Sequence, residues 1–114
     1  MKEVITDNRN LLIIPSPVIP EVCYMLNRRL GVNIELLFLR EIIKNIFQME
    51  TLKYIDVLRA VEILEKYKDL NIGYVDASIV AVSERLKINK ILTLDKKHFA
   101  AVVPKGFDSF DILI

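Results

Sequence analysis

The chain reads as a single α/β domain with a mainly parallel sheet. Three observations predict this. The apolar runs "LLIIP" (residues 11–15) and "KILTLD" (residues 90–95) have the unbroken character of strands buried on both faces. The stretches between them space their apolar residues as helices do. A hydrophobic content of 53% with 27% charged residues over 114 positions suits one core of ordinary size. No internal repeat, low-complexity segment or linker divides the chain.

Each element has its own signals. The first run closes at Pro15, and polar flanks bound it as a strand. "SPVIPEVCYMLNRRLG" reads as a helix with Ser16 as N-cap, Pro17 in the first turn, apolar Val18, Val22, Cys23, Met25 and Leu26, and Gly31 as the stop. Pro20 costs little there, because the first amides of a helix have no intrahelical acceptor. Asn33 is the expected cap of the next helix, "IELLFLREIIKNIF", whose apolar residues cover more than one face and predict packing on two sides. Residues 51–67 form an amphipathic helix with Leu58, Val61 and Leu64 apolar and Glu62 and Lys66 spaced for an i,i+4 pair. "KDLNIGY" breaks it. Asp76 then opens a fourth helix through Leu86, "KILTLD" is a second buried strand, and "FDSFDILI" sets Phe110, Ile112 and Ile114 on one face.

Composition narrows the functional classes. Sixteen basic against fifteen acidic residues leave a net charge of +1, which announces neither a general polyanion binder nor an acidic tail. Cys23 is the single cysteine, so no internal disulfide forms and a reducing cytoplasm is the expected compartment. "MKEVITDNRN" lacks the apolar segment of a signal peptide, and no run approaches the roughly 20 apolar residues that span a bilayer, so no membrane role is expected.

Ligands of parallel α/β sheets gather at the carboxyl ends of strands and the starts of the following helices. Asp95 ends a predicted strand, Asp76 starts a helix, and Glu21 lies in the first turn of the helix after "LLIIP". Clustered carboxylates repel unless a cation or protons offset their charge. Oxygen-only donors suit Mg²⁺ or Mn²⁺, and such a centre would hydrolyse a phosphodiester by polarising a phosphoryl oxygen and acidifying a bound water. Each residue also has a simpler role: Asp76 as a cap, Asp95 as a strand-ending turn residue, and Glu21 as a first-turn acid favoured by the helix dipole. An α/β binding domain with only such caps is the alternative from an unrelated class. Thr93 would lie on the same side of the strand as Asp95 and orient it, or serve simply as a β-branched strand former. Residues 85–105 carry Arg85, Lys87, Lys90, Lys96, Lys97 and Lys105 against Asp95, six positive charges less one, a local surplus that would draw phosphate backbones or serve as a solvated surface. His98, the only histidine, is expected to be structural or solvent-facing.

"IIPSPVIPEVCYML", "YVDASIVAVSERL" and "ILTLDKKHF", in that order and with "YKDLNIGYVDAS" between, resemble the signatures of PIN-domain ribonucleases, especially the toxins of VapBC-type toxin–antitoxin pairs. The resemblance runs from about residue 11 to the end. It implies a PIN-like parallel sheet flanked by helices, RNA as substrate, a cognate antitoxin as partner, and Mg²⁺ or Mn²⁺ held by Glu21, Asp76 and Asp95. PIN domains begin with a strand ending in an aspartate, followed by one or two helices. This sequence is expected to lack that strand and the following helix, forming one N-terminally shortened domain over residues 1–114. "EVITDN" cannot replace the missing unit, because Asn8, Arg9 and Asn10 alone separate Asp7 from the apolar run, whereas a parallel crossover needs a dozen or more residues. A hairpin fits, and Asp7 falls outside the site. A shortened sheet would leave edges for another copy to cover, so a homo-oligomer is expected. The resemblance therefore implies a metal-dependent endoribonuclease, with a catalytically weak PIN-like interaction module as the alternative.

Overall fold

The computed structural model of the chain describes residues 4–6, 12–88, 90–92, 102–106 and 111–112. Five strands, β1 (Val4–Thr6), β2 (Leu12–Pro15), β3 (Phe47–Glu50), β4 (Lys90–Leu92) and β5 (Asp111–Ile112), form one sheet in the order β3-β2-β1-β4-β5. The α/β class holds, and the outer pairs β2–β3 and β4–β5 are parallel as expected. The central strand β1 runs antiparallel to both neighbours, which makes the sheet mixed. The reason lies in the short connection between β1 and β2: residues 7–11 can reverse the chain but cannot carry it back across the sheet. The centre of the sheet is thus filled by the segment read above as a hairpin strand. Thr6, the last residue of β1, pairs with Leu12 and Lys90, the first residues of β2 and β4. The end of β1 therefore lies at the rim opposite the carboxyl ends of β2 and β4.

Helix α1 (Val18–Leu30) follows β2 at once and buries Val18, Val22 and Leu26. Its cap is Pro17, with no side-chain cap bond; Ser16 serves through its backbone instead, its carbonyl accepting from the amide of Ile19 at 3.2 Å. Gly31 ends the helix at φ 91°, a left-handed conformation that a side chain would strain. Its amide donates to the carbonyls of Leu26 and Asn27. Helix α2 (Val32–Ile43) starts directly afterwards, capped by Gly31 and not by Asn33. It was expected to be packed on two sides, yet none of its residues is fully buried. It also ends earlier than its apolar run: Asn45 turns the chain at φ 62°, and the last residue of the run, Phe47, opens the edge strand β3.

Helix α3 (Tyr54–Lys66) turns Asp56, Ala60 and Ile63 inward. Leu58 and Val61, read above as its apolar face, point outward. The expected Glu62–Lys66 pair is replaced by ion pairs from Glu62 to Arg59 and Lys105, while the Lys66 ammonium sits over the Tyr67 ring. Helix α4 (Tyr74–Leu86) lies between the sheet and α3 and buries all seven residues from Ala77 to Ser83. Together with Ile14, Val18, Val22 and Ile63 it forms the core. The hydroxyls of Ser78 and Ser83 donate to the carbonyls of Tyr74 and Ile79, one turn earlier, which satisfies two polar groups within that core. No helix among the described residues is long and apolar enough to cross a membrane.

Candidate active site

Glu21 stands in the first turn of α1, on the exposed side of a helix whose other face carries Val18 and Val22 into the core. The start of that helix is tied to the neighbouring strand, because the Ser16 amide donates to the Glu50 carbonyl at 2.8 Å. Asp76 is the third residue of α4, which is capped by Gly73, so it is an acid of the first turn and not the cap that its position suggested. It is half-buried and engaged in an interaction of its own. Asp95 lies outside the described residues, as do Thr93, His98, Asp7, Phe110 and Ile114. Among the described residues no three acids, histidines or cysteines gather closely enough to hold a metal ion.

What the structure does assemble from charged residues lies at the other end of α4, and sequence reasoning missed it. Asp56 is 2% exposed and accepts from the Lys53 amide at 2.8 Å, which caps α3. The Arg85 guanidinium grips the same carboxylate, with Nε at 2.9 and 3.1 Å from its two oxygens and a second nitrogen at 2.9 Å. It also donates to Glu50 at 2.9 Å. One turn along α3, Arg59 meets Glu84 with two parallel bonds of 2.7 and 3.0 Å, the bidentate geometry that suits guanidinium and carboxylate. The Lys105 amide donates to Glu84 at 2.8 Å, fastening the 102–106 segment to the same point. Both guanidinium groups are held above the usual arginine range, Arg59 chiefly by its hydrogen bond to Glu84 and Arg85 chiefly by its bond to Asp56.

This cluster redraws the charge map. Arg85 was counted toward a basic surplus beside the site, but its charge is spent on Asp56 and Glu50 and it sits nine residues along α4 from Asp76. Lys105 is likewise paired, with Glu62 at 3.3 Å. The Lys53–Asp56 capping spacing and the Arg59–Glu62 interval are local signals that a sequence reader can find. The Arg85–Asp56 contact spans 29 positions and gives no such signal. A cavity of about 530 Å³ opens beside these pairs, lined in part by Ile55, Leu58, Ala81 and Gly106. Neither Glu21 nor Asp76 lines it, and its charges already neutralise one another, so it is not the candidate active site.

The geometry is that of an α/β domain with acids in the first turns of two helices that follow or flank the sheet. The PIN domain model matches residues 2–103, and the chain belongs to the PIN domain family. Ribonuclease VapC26 of Mycobacterium tuberculosis is 32% identical over 113 residues, covering 99% of this chain and 84% of that protein. The crystal structure of Mycobacterium tuberculosis VapC20, described as a sarcin–ricin loop cleaving toxin, superposes with a TM-score of 0.64 at 21% identity. That match covers 70% of this chain and 62% of the other, and at such identity it shows a shared fold alone.

Proposed function

We propose that the protein is an endoribonuclease that hydrolyses RNA phosphodiesters with Mg²⁺ or Mn²⁺, acting in the cytoplasm as the toxin of a toxin–antitoxin pair. The observation that carries this reading is the 32% identity to a VapC ribonuclease along 99% of the chain, joined to the carboxylates Glu21, Asp76 and Asp95 that the resemblance implies as ligands. Glu21, Asp76 and Asp95 would hold the cation. They fit it by donor chemistry: all three are carboxylates, and hard divalent cations take oxygen ligands. When bound, such an ion supplies Lewis acidity toward a phosphoryl oxygen. The chain's own contribution is to offer Glu21 and Asp76 from first turns, each on a helix whose opposite face is fixed in the core. An antitoxin partner follows from the same kinship.

One observation favours a second reading, a catalytically weak PIN-like interaction module. The central strand β1 runs antiparallel, so its last residue, Thr6, lies beside the starts of β2 and β4. The end of that strand is thus at the rim opposite the one from which α1 and Glu21 start. The experiment that separates the readings is cleavage of a panel of structured and single-stranded RNAs with Mg²⁺ or Mn²⁺, using the chain and folded Asp76→Asn and Asp95→Asn variants. Metal-dependent cuts abolished in both variants support the nuclease. No cuts, or equal cuts by all three proteins, support the module.

A further inference from the structure

The two helices that carry Glu21 and Asp76 are fastened to one residue. Glu50 closes the edge strand β3, in register with Pro15 at the end of β2. Its carbonyl accepts from the Ser16 amide at 2.8 Å, and the Ser16 carbonyl accepts from the Ile19 amide in the opening turn of α1. Its carboxylate accepts from Arg85 of α4 at 2.9 Å. Glu50 thus holds the start of α1 through its backbone and the end of α4 through its side chain. Neither connection is loose. The Arg85 guanidinium is fixed on its other side by Asp56, which is 2% exposed and takes a further bond from the Lys53 amide. The side chains of Arg85 and Glu50 are themselves 18% and 21% exposed, so water competes weakly for the bond between them. Between Asp76 and Arg85 every residue from Ala77 to Ser83 is buried, so this part of α4 is packed as a rod and a shift at its end is transmitted to its start.

We infer that Glu50 and Arg85 are positioning residues: their ion pair sets how α1 and α4 sit relative to one another, and so how Glu21 and Asp76 are presented. The inference rests on the reading of those two acids as ligands of a divalent cation. Mg²⁺ demands near-ideal geometry of its oxygen ligands, so helices that offer those ligands must be held in register. The neighbouring Arg59–Glu84 pair supplies the contrast. It joins α3 to α4 with two parallel bonds, and among the described residues none of the hydrogen bonds of either side chain reaches β3 or α1. Two ion pairs of similar geometry therefore sit side by side, and one of them alone links the two acid-bearing helices.

Binding of Mn²⁺ to the full chain, followed by the electron paramagnetic resonance signal of the free ion, tests the inference without reference to cleavage. Glu50→Ala keeps the backbone carbonyl and the Arg85–Asp56 pair and removes only the side-chain link to β3. It is expected to weaken Mn²⁺ binding about tenfold, the low end of what is lost with a group that orients metal ligands from outside their shell. Glu50→Gln, which keeps an acceptor oxygen, should restore part of that loss. Arg59→Met is expected to lower Tm at least as much as Glu50→Ala and to leave Mn²⁺ binding unchanged. Hydrogen exchange of the Ser16 amide, measured without metal, should speed up in Glu50→Ala and not in Arg59→Met. Unchanged Mn²⁺ binding or unchanged Ser16 exchange in Glu50→Ala, or an equal loss of binding in Arg59→Met, would overturn the positioning role and leave the nuclease reading standing. A chain that binds no Mn²⁺ would overturn the metal reading itself, and the inference with it.

Discussion

Helices α2 and α4 are of nearly equal length and both rich in aliphatic residues, yet α4 buries seven consecutive residues and α2 none. Composition does not explain the contrast, for "IELLFLREII" is at least as apolar as "ASIVAVSERL". Placement does. Helix α4 is covered on one side by the sheet and on the other by α3. Helix α2 packs on α1 and the edge strand β3, which leaves the rest of its circumference open. The small residues Ala77, Ser78, Ala81 and Ser83 let α4 fit between two layers, whereas the bulky leucines of α2 have only one layer to meet.

The contrast can be broken by substitution. Ile79→Ala, at a fully buried position of α4, is expected to cost about 4 kcal/mol in urea unfolding, because it removes transfer energy and leaves a cavity. Leu37→Ala on α2 should cost less than about 1 kcal/mol, since half its surface is already in water. Equal costs would mean that α2 is covered in solution. Next in size is Arg85→Met, which leaves Asp56 buried without its cation and should destabilise by about 3 kcal/mol. A loss similar to that of an exposed ion pair would show that the cluster does not anchor the end of α4. Gly31→Ala should cost about 1 kcal/mol, entirely through its φ of 91°, since a Cβ there meets nothing within 4 Å.

The smallest expected effect is on the pH dependence of stability. Hydrogen bonds from Lys105, and then from Arg59, hold the exposed Glu62 carboxyl below its ordinary range. A lowered native value means that the stabilisation is present above the unfolded pKa and fades as pH falls through the native one. Glu62→Gln should therefore lower Tm slightly at neutral pH and leave it unchanged in acid, which flattens the acid limb of a Tm-versus-pH curve. Cys23 shifts the other way, its thiol pushed up by burial and then by Glu35, so alkylation at mildly alkaline pH should be slower than for an unfolded peptide.

Much of the architecture could be read from local chemistry. "LLIIP" is a strand because a continuous β-favouring run ends in proline, and the helix after it stops at a glycine whose backbone is left-handed. The helix starts were equally legible: Glu21 and Asp76 fall in first turns because the sequence punctuates both helices clearly. The faces of the helices were not legible. Leu58 and Val61 look like core residues by spacing, yet Asp56 takes the inward position, because Arg85, distant in sequence, neutralises it there.

The sequence by itself determined the α/β class and the order and approximate starts of the helices, because these depend on periodicity and turn chemistry within a few residues. Only the tertiary structure decided the direction of β1, the edge strand β3 cut from an apolar helical run, the burial of α4 against the exposure of α2, and the Arg85–Asp56–Glu50 cluster. Each of those depends on which distant segment supplies the covering layer, the pairing strand or the opposite charge, and spacing along the chain does not encode that.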